Sequence, residues 1–248
     1  MERYRAWHLG CKPYGREGVT VPNRSTTPTQ PVRMTVTGAD SKTSINDLVQ
    51  LTLHHPWLEV GLLFREGPVQ NRYPARQWLF ECLSALRGRA ALHICGTQAR
   101  RSFLAGDIDD LAGFAGRVQL NGTLDAKTVT LASQRVSILI TQHNTANEPL
   151  LTLDLRNHCL LVDESGGRGF APTQWVRPVT SKAIGFAGGL GPVSLAAQLP
   201  CINAVAEEDP RWWIDMEGQL RTSHDWFDIH SVRQCTATFA HFLHPNFY

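Results

Sequence analysis

The sequence lacks long apolar runs, closely paired cysteines and an apolar h-region near residue 1. No stretch of eighteen apolar residues occurs among the 248, which excludes a membrane-spanning helix. The six cysteines include no C-x-x-C pair, so neither a disulfide framework nor a structural zinc site is expected. The N-terminal segment has no apolar h-region, which argues against a secretory signal. We therefore expect a cytoplasmic protein with reduced thiols, no metal and no cofactor.

Excess positive charge is absent outside the N-terminal segment. The chain carries a formal net charge of +2, but residues 1–33 contain six Lys or Arg and two acidic residues. That segment therefore holds +4, and residues 34–248 hold −2. A slightly acidic body gives no reason to expect nucleic acid as a partner.

Regular periodicity is missing from residues 1–33, which contain four prolines and a Ser/Thr-rich stretch at 25–29. This composition predicts an unstructured basic leader. Our preferred interpretation is an upstream start codon, with Met34 as the natural start. A transit peptide, a cloning remnant and a genuine tail are the alternatives.

From Met34 onward, short aliphatic or β-branched runs alternate with longer amphipathic stretches. The eight runs expected to form strands are 34–38, 58–64, 90–96, 116–121, 136–140, 159–163, 182–187 and 212–216. The stretches expected to form helices are 45–53, 75–86, 98–104, 124–132, 193–199 and 227–242, with shorter segments at 150–156 and 173–176. Eight units of about 27 residues predict a single α/β domain over residues 34–248, a (β/α)8 TIM barrel. An open doubly wound sheet is the second alternative.

Alternation within the strands predicts where a functional site would lie. One face of the typical strand is aliphatic, whereas the other is mixed and ends in a polar residue. Barrel enzymes have their active sites at the C-terminal ends of the strands. The residues that this geometry collects at the mouth are Thr37, Arg65, Cys95, Asn121, Asp163 and Asp215.

Asp163 ends the sixth predicted strand and precedes a glycine-rich loop. A carboxylate held there above a pocket suits a general acid or base. The alternative is that it only caps the loop by accepting backbone hydrogen bonds.

A second glycine-rich segment, at 186–192, follows the seventh strand and precedes a helix. Backbone N–H groups and a helix N-terminus favour bound phosphate, although tight turns use the same glycines. With the loop after the eighth strand, the residues expected to contact phosphate are Gly188, Gly189, Leu190, Gly191, Glu217 and Gly218. The Glu217 carboxylate would repel phosphate unless Arg221 or another cation intervened.

His93 and Cys95 share one strand face and are a candidate reactive pair or two metal ligands. No third ligand with matching spacing is evident, and a free cysteine behaves mainly as a small apolar residue. Packing is therefore the preferred interpretation of this pair.

These motifs, in this order, resemble the phosphoribosylanthranilate isomerase family of tryptophan biosynthesis. V-G-L-L-F at 60–64 and V-Q-L-N-G at 118–122 resemble the family's V-G-F-V-F and V-Q-L-H-G strands. L-L-V-D at 160–163 with G-G-R-G at 166–169 resembles its sixth-strand aspartate and G-G-x-G loop. F-A-G-G-L-G-P at 186–192 resembles its G-G-L-x-P phosphate loop, and W-I-D-M-E-G at 213–218 stands where D-V-S-S-G is usual.

The resemblance implies an Amadori rearrangement, in which a phosphoribosyl amine becomes a 1-deoxyketose. It places the general acid on Asp163 and the general base on a first-strand cysteine, but Thr37 occupies that position here. A threonine hydroxyl is too weakly acidic to replace a thiolate. The candidates for a recruited base are Asp40, Cys95 and Asp215, without preference among them.

Two other functions compete with this isomerase activity on a phosphorylated small molecule. One is a barrel enzyme of different specificity that uses clustered carboxylates on a non-phosphorylated ligand. The other is a non-catalytic barrel used for binding or assembly. A monomer and a homodimer are both compatible with the sequence.

Overall fold

The computed structural model describes residues 33–163, 169–206 and 209–244. Eight parallel strands close into a barrel in chain order, with β8 paired to β1 through Met34↔Ile214 and Val36↔Met216. The strands are β1 Met34–Thr37, β2 Leu58–Phe64, β3 Ala90–Ile94, β4 Arg117–Leu120, β5 Leu139–His143, β6 His158–Asp163, β7 Ile184–Ala187 and β8 Trp213–Met216. The predicted (β/α)8 barrel is confirmed, and the open sheet is wrong because β1 and β8 are hydrogen-bonded.

Helices follow most of the strands and pack on their outer face. They are α1 Ile45–His54, α2 Arg76–Leu86, α3 Thr97–Ala105, α4 Asp109–Ala112, α5 Ala126–Ser133, α6 Leu195–Val205 and α7 Ile229–Leu243. Two 3-10 helices span Thr145–Thr152 and Gly218–Leu220. Ser44, Asp125 and Asp228 cap α1, α5 and α7 by accepting hydrogen bonds from backbone N–H groups of the first turn. No helix among the described residues is long and apolar enough to span a membrane.

Several predicted boundaries are corrected. The fifth strand lies at Leu139–His143 instead of 136–140, because Val118 of β4 pairs with Leu139. Residues 173–176 form no helix, since prolines at 172 and 178 flank them. The segment at 150–156 is replaced by the 3-10 helix, which contains Pro149. Residues 1–32 of the leader predicted over 1–33 lie outside the described residues, whereas Arg33 donates its backbone N–H to Trp57 O at 2.9 Å.

Buried side chains fill the barrel interior below the mouth. Ile140, Leu161 and Trp213 form a small apolar cluster separate from the main core between strands and helices. Beside it, Arg117 Nε lies 3.0 Å from both carboxylate oxygens of Glu59, and both side chains are buried. The Arg117 guanidinium also lies 4.6 Å from the Trp213 ring centroid. This filled interior leaves the strand ends as the place for a site.

Candidate functional site

A polar cleft lies at the C-terminal ends of the strands. Strand ends and the loops after β6, β7 and β8 supply its walls. Its described lining consists of Thr37, His93, Gln119, Asn121, Gln142, Leu161, Asp163, Gly169, Ala187, Gly188, Gly189, Leu190, Asp215, Met216, Glu217, Gly218 and Gln219. Within the described ranges, no group of His, Cys, Asp or Glu could hold a metal ion.

Asp215 is the most perturbed carboxyl in the cleft. Its Oδ1 accepts a hydrogen bond of 2.6 Å from the Thr37 hydroxyl, and both side chains are buried. Burial raises the pKa of Asp215 to about 7, and the negative charges of Glu59 and Asp163 add to this effect. The Thr37 hydrogen bond and the Arg117 charge offset part of the rise. Both protonation states of Asp215 are therefore populated near neutral pH.

Asp163 faces the same cleft from β6. The sheet register aligns Asp163 with Ala187 of β7 and Ala187 with Asp215 of β8. The two aspartates are thus in register with each other through Ala187, two strands apart, where neighbouring strands are about 4.8 Å apart. Asp163 is 7% exposed, as is Asp215. The loop 164–168, which carries most of the predicted glycine-rich segment, lies outside the described residues.

A row of neutral polar groups covers the opposite wall. His93 Nε2 lies 4.0 Å from Asp215 Oδ2, and burial lowers the pKa of His93 to about 4. Gln119 Nε2 lies 3.4 Å from His93 Nδ1 and donates a hydrogen bond of 2.8 Å to Asn121 Oδ1. His93 is therefore a neutral imidazole that orients polar neighbours at physiological pH.

Cys95 lies beside this row but outside the cleft lining. Asn121 Nδ2 donates to its Sγ at 3.2 Å, and Tyr73 also contacts the thiol. Burial raises the pKa of Cys95 to about 11, so the thiolate is scarce at neutral pH. Its position and its protonation both disfavour a role as base.

Asp40 and Arg65 also lie outside the lining of the cleft. The Asp40 carboxylate accepts hydrogen bonds from Phe227 N at 2.7 Å and Arg221 Nη2 at 3.1 Å, so it joins the loop after β1 to the segment before α7. The Arg65 guanidinium stacks 4.7 Å from the ring centroid of Tyr73. The mouth therefore brings Thr37, Asn121, Asp163 and Asp215 into one cleft, and sets Cys95 and Arg65 outside it.

The loop after β7 adopts the conformation that its glycines permit. Gly188 has φ +126° and Gly189 has φ +61°, which side chains rarely adopt. The backbone of Ala171 packs closely against this loop, because a Cβ on Gly189 would lie 2.3 Å from Ala171 N. Gly191 N donates at 3.1 Å to the Ser194 hydroxyl. Helix α6 begins at Leu195, two residues later than predicted, so its first turn lies further from the glycines.

Glu217 stands at the start of the 3-10 helix after β8 and lines the cleft. Its Oε1 accepts from Arg72 Nη1 at 2.6 Å. Burial raises the pKa of Glu217, whereas Arg72 lowers it in part. The cation beside Glu217 is thus Arg72, while Arg221 bonds to Asp40 and Asp225.

Sequence reasoning did not identify Arg72 or Gln119 as site residues. Arg72 belongs to the loop after β2, and 145 positions separate it from Glu217, so no local spacing marks the pair. Gln119 could have been found, because it shares a strand face with Arg117 and Asn121.

The architecture is similar to that of solved phosphoribosylanthranilate isomerases. The structure from Thermus thermophilus aligns with a TM-score of 0.61 and 15% identity, over 85% of this chain and 100% of that chain. The monomers generated from the dimeric enzyme of Thermotoga maritima align with a TM-score of 0.59 and 16% identity, over 84% of this chain and 97% of that chain. TrpF from Jonesia denitrificans aligns with a TM-score of 0.59 and 12% identity, over 87% of this chain and 100% of that chain. These identities show a shared fold. No protein-family model and no curated protein sequence matches the chain.

Proposed function

We propose that this protein is an acid–base isomerase of the phosphoribosylanthranilate isomerase type, which converts an aldose-type sugar amine to a 1-amino-1-deoxyketose. Asp163 acts as the general acid and Asp215 as the general base. The observation that carries the proposal is the hydrogen bond from Thr37 to Asp215 inside the cleft that Asp163 also lines. The shared barrel fold supports the reaction class by analogy.

The reaction starts from a glycosylamine with a closed sugar ring. Asp163 donates a proton to the ring oxygen while the nitrogen lone pair expels that oxygen, which breaks the C1–O bond and leaves an iminium ion. Asp215 removes the proton from C2, and the electron pair of that bond neutralises the iminium to give an enaminol. Protonation at C1 and loss of the proton from the C2 hydroxyl then yield the ketose.

Asp215 suits the base role better than the other candidates. A pKa of about 7 gives a substantial ionised fraction at neutral pH while keeping the carboxylate more basic than an exposed aspartate. The Thr37 hydroxyl is too weak an acid to ionise, but it fixes the orientation of the carboxylate. Cys95 and Asp40 do not line the cleft, so neither is placed to reach C2 of a ligand bound there.

The names of the similar solved structures include a phosphoribosyl group. In barrel enzymes the loop after the seventh strand often binds phosphate, so the loop after β7 is the expected position for such a group. Gly188, Gly189 and Gly218 would meet that phosphate here. Glu217 favours the second candidate, a barrel enzyme that acts on a non-phosphorylated ligand, because its carboxylate lines the cleft and would repel an anionic group bound there.

Turnover by the purified protein tests the reaction class. Glycosylamines formed from anthranilate with ribose and with ribose 5-phosphate are the two substrates, and proton NMR detects the ketose product. We expect product from at least one of them and a loss of about 100-fold or more in Asp215→Asn and in Asp163→Asn. Asp154→Asn, at an exposed aspartate remote from the cleft lining, is the matched control.

Growth of a tryptophan-requiring strain that lacks the isomerase provides a second measurement. Rescue would support activity on the phosphorylated substrate in cells. Absence of product from both glycosylamines, with the protein folded and soluble, would reject the proposed function in favour of a non-catalytic barrel.

A further inference from the structure

His93 of β3 faces Asp215 inside the cleft. Its Nε2 lies 4.0 Å from Asp215 Oδ2, and both residues line the cleft. The other carboxylate oxygen, Oδ1, accepts the hydrogen bond from Thr37. A separation of 4.0 Å is too long for a direct hydrogen bond, because N–H···O bonds span about 2.7–3.2 Å. The imidazole and the carboxylate are therefore neighbours that do not bond to each other.

Gly61 of β2 allows this arrangement. Strands β1 and β2 lie between β8, which carries Asp215, and β3, which carries His93, and the register places Gly61 beside Thr37. A Cβ on Gly61 would lie 2.2 Å from Thr37 Oγ1. The missing side chain thus leaves space for the hydroxyl that holds Asp215, and the interior at this height is built around the carboxylate.

A chain of hydrogen bonds locates the proton on the His93 ring. Cys95 Sγ donates to the His93 carbonyl oxygen at 3.6 Å, and Asn121 Nδ2 donates to Cys95 Sγ at 3.2 Å. The Asn121 amide therefore turns its oxygen to Gln119, whose Nε2 donates to it at 2.8 Å. The same Gln119 Nε2 lies 3.4 Å from His93 Nδ1. Because an amide nitrogen is only a donor, Nδ1 accepts, and Nε2, the nitrogen that faces Asp215, carries the proton.

The His93 ring stays neutral while it presents this N–H group. Its side chain is buried, and burial lowers the pKa of His93 to about 4. The charge of Arg117 adds to this effect, whereas the carboxylates of Glu59 and Glu217 oppose it. A neutral imidazole N–H can stabilise a developing negative charge by hydrogen bonding without transferring its own proton.

The imidazole and the carboxylate match the two groups attached to the reacting carbon. In the proposed function Asp215 removes the proton from C2, and C2 also carries a hydroxyl oxygen. If C2 lies about 3–3.5 Å from Asp215 Oδ2, its oxygen comes within reach of a donor that needs a distance of about 2.7–3.2 Å. A carboxylate and an N–H group 4.0 Å apart can therefore contact the C–H and the oxygen of one carbon at the same time.

We propose that His93 is a further catalytic residue of this cleft, whose Nε2–H donates a hydrogen bond to the C2 oxygen of the sugar while Asp215 acts on C2. This inference rests on the proposed function. In the second half of the reaction the C2 hydroxyl releases its proton to water, and the electron pair of that O–H bond forms the C2=O bond. The electron pair of the C1=C2 bond takes up the proton that Asp215 holds and forms the new C1–H bond. Negative charge develops on the C2 oxygen as its proton leaves, and the Nε2–H group stabilises it.

Initial rates with two variants of His93 test the assignment. His93→Leu removes the donor, and we expect kcat/KM for a turned-over glycosylamine to fall about 100-fold. His93→Gln places an N–H group near the position of Nε2 and should recover about tenfold of that loss. Equal rates of the wild type and His93→Leu would overturn the proposal. A loss that His93→Gln does not recover would assign a packing role to the ring instead.

His158→Leu is the matched control. His158 is as buried as His93, but its ring faces Thr141 and it does not line the cleft. The same substitution there should leave kcat/KM of the folded protein unchanged. An equal loss in His158→Leu and His93→Leu would show that the rate responds to burial of a leucine in the barrel and not to the lost donor.

The pH dependence separates a contact with the sugar from an effect through Asp215. A neutral donor does not titrate between pH about 5.5 and about 9, so the loss in His93→Leu should be equal across this range. The midpoint of the profile, set by Asp215, should stay in place. A shifted midpoint would show that His93 acts only by orienting the carboxylate, which would make it a positioning residue and overturn the catalytic assignment.

Carbon NMR gives a readout that needs no turnover. The probes are the ketoses made from anthranilate with ribose 5-phosphate and with 5-deoxyribose, labelled with carbon-13 at C2. Neither has a free C5 hydroxyl, so neither closes a furanose ring and both keep the C2 carbonyl. A hydrogen bond from Nε2–H polarises that carbonyl, so we expect a downfield shift on binding to the wild type and to His93→Gln but not to His93→Leu. The same shift in the wild type and His93→Leu would remove His93 from the C2 oxygen.

The two proposals fail in distinguishable ways. If the carbonyl shift depends on His93 and neither glycosylamine turns over, the donor assignment stands and the isomerase function falls. If a glycosylamine turns over equally fast in the wild type and His93→Leu, the isomerase function stands and the donor assignment falls. Absence of both turnover and ketose binding would reject both.

Discussion

Thr37 and Asp215 are hydrogen-bonded at 2.6 Å across the seam where the barrel closes. The resemblance to the isomerase family implies a catalytic cysteine at the position of Thr37. In its place the chain has a hydroxyl that holds a carboxylate with a raised pKa. In the mechanism that we propose, the base therefore lies on β8, hydrogen-bonded to the β1 position to which the resemblance assigns the cysteine.

The direction of the pH–rate profile distinguishes base from acid at Asp215. As a base it must be ionised, so kcat/KM should rise through pH about 7. The measurement is initial rate against pH with a turned-over glycosylamine. A profile that falls through this region would instead make Asp215 the proton donor.

Protein stability should respond to pH through the same group. The folded-state pKa of Asp215 is raised to about 7, above the unfolded value of about 3.9, so its neutral form favours folding. That contribution is fully present below pH about 4 and is lost as pH rises to about 7. Urea unfolding should therefore show Asp215→Asn gaining stability over the wild type across this window. A constant difference between the two proteins would contradict the raised pKa.

Replacing Thr37 by Val should shift the pH profile to the alkaline side. The substitution removes the hydrogen bond that stabilises the Asp215 carboxylate, so the pKa of Asp215 rises further. Rates should fall several-fold below the original pKa and recover at high pH. Thr37→Ser, which keeps the hydroxyl, is the control, and an unshifted profile in Thr37→Val would show that the hydrogen bond is not used.

The buried pair below the cleft should be costly to break from one side. Glu59→Gln leaves the Arg117 guanidinium, itself 7% exposed, without its carboxylate, and we expect a loss of about 3–5 kcal/mol in the free energy of unfolding. Replacing both residues together, as Glu59→Leu with Arg117→Met, should cost much less. Chemical denaturation measures both, and equal losses in the two variants would argue that packing matters more than charge.

The barrel could be predicted from the sequence because its signals are local. Strand alternation, helix-length spacing and a repeat of about 27 residues recur along the chain, and closure follows from their number. The same alternation correctly placed Asp163 and Asp215 at the mouth. Cys95 was predicted at the mouth as well, but it does not line the cleft. Tyr73 from another loop contacts its thiol instead.

Long-range contacts set the limit of that prediction. The partner of Glu217 is Arg72 and the partner of Asp40 is Arg221, from loops 145 and 181 positions away. Side-chain pairing across such distances depends on how the loops cross the mouth, which periodicity does not encode. For the same reason, the sequence predicted Gly188 and Gly189 as phosphate contacts, with a tight turn as the alternative, but it did not predict that Ala171 packs on Gly189.

The filled interior has a consequence for the passage of molecules. Arg117, Glu59 and Trp213 occupy the barrel beneath the aspartates, so a ligand that enters from the mouth must leave by the same route. A cleft that is closed at its base binds one substrate and releases one product through the same opening. It would be poorly suited to a reaction that needs two fragments to depart in opposite directions, whereas an isomerisation makes no such demand.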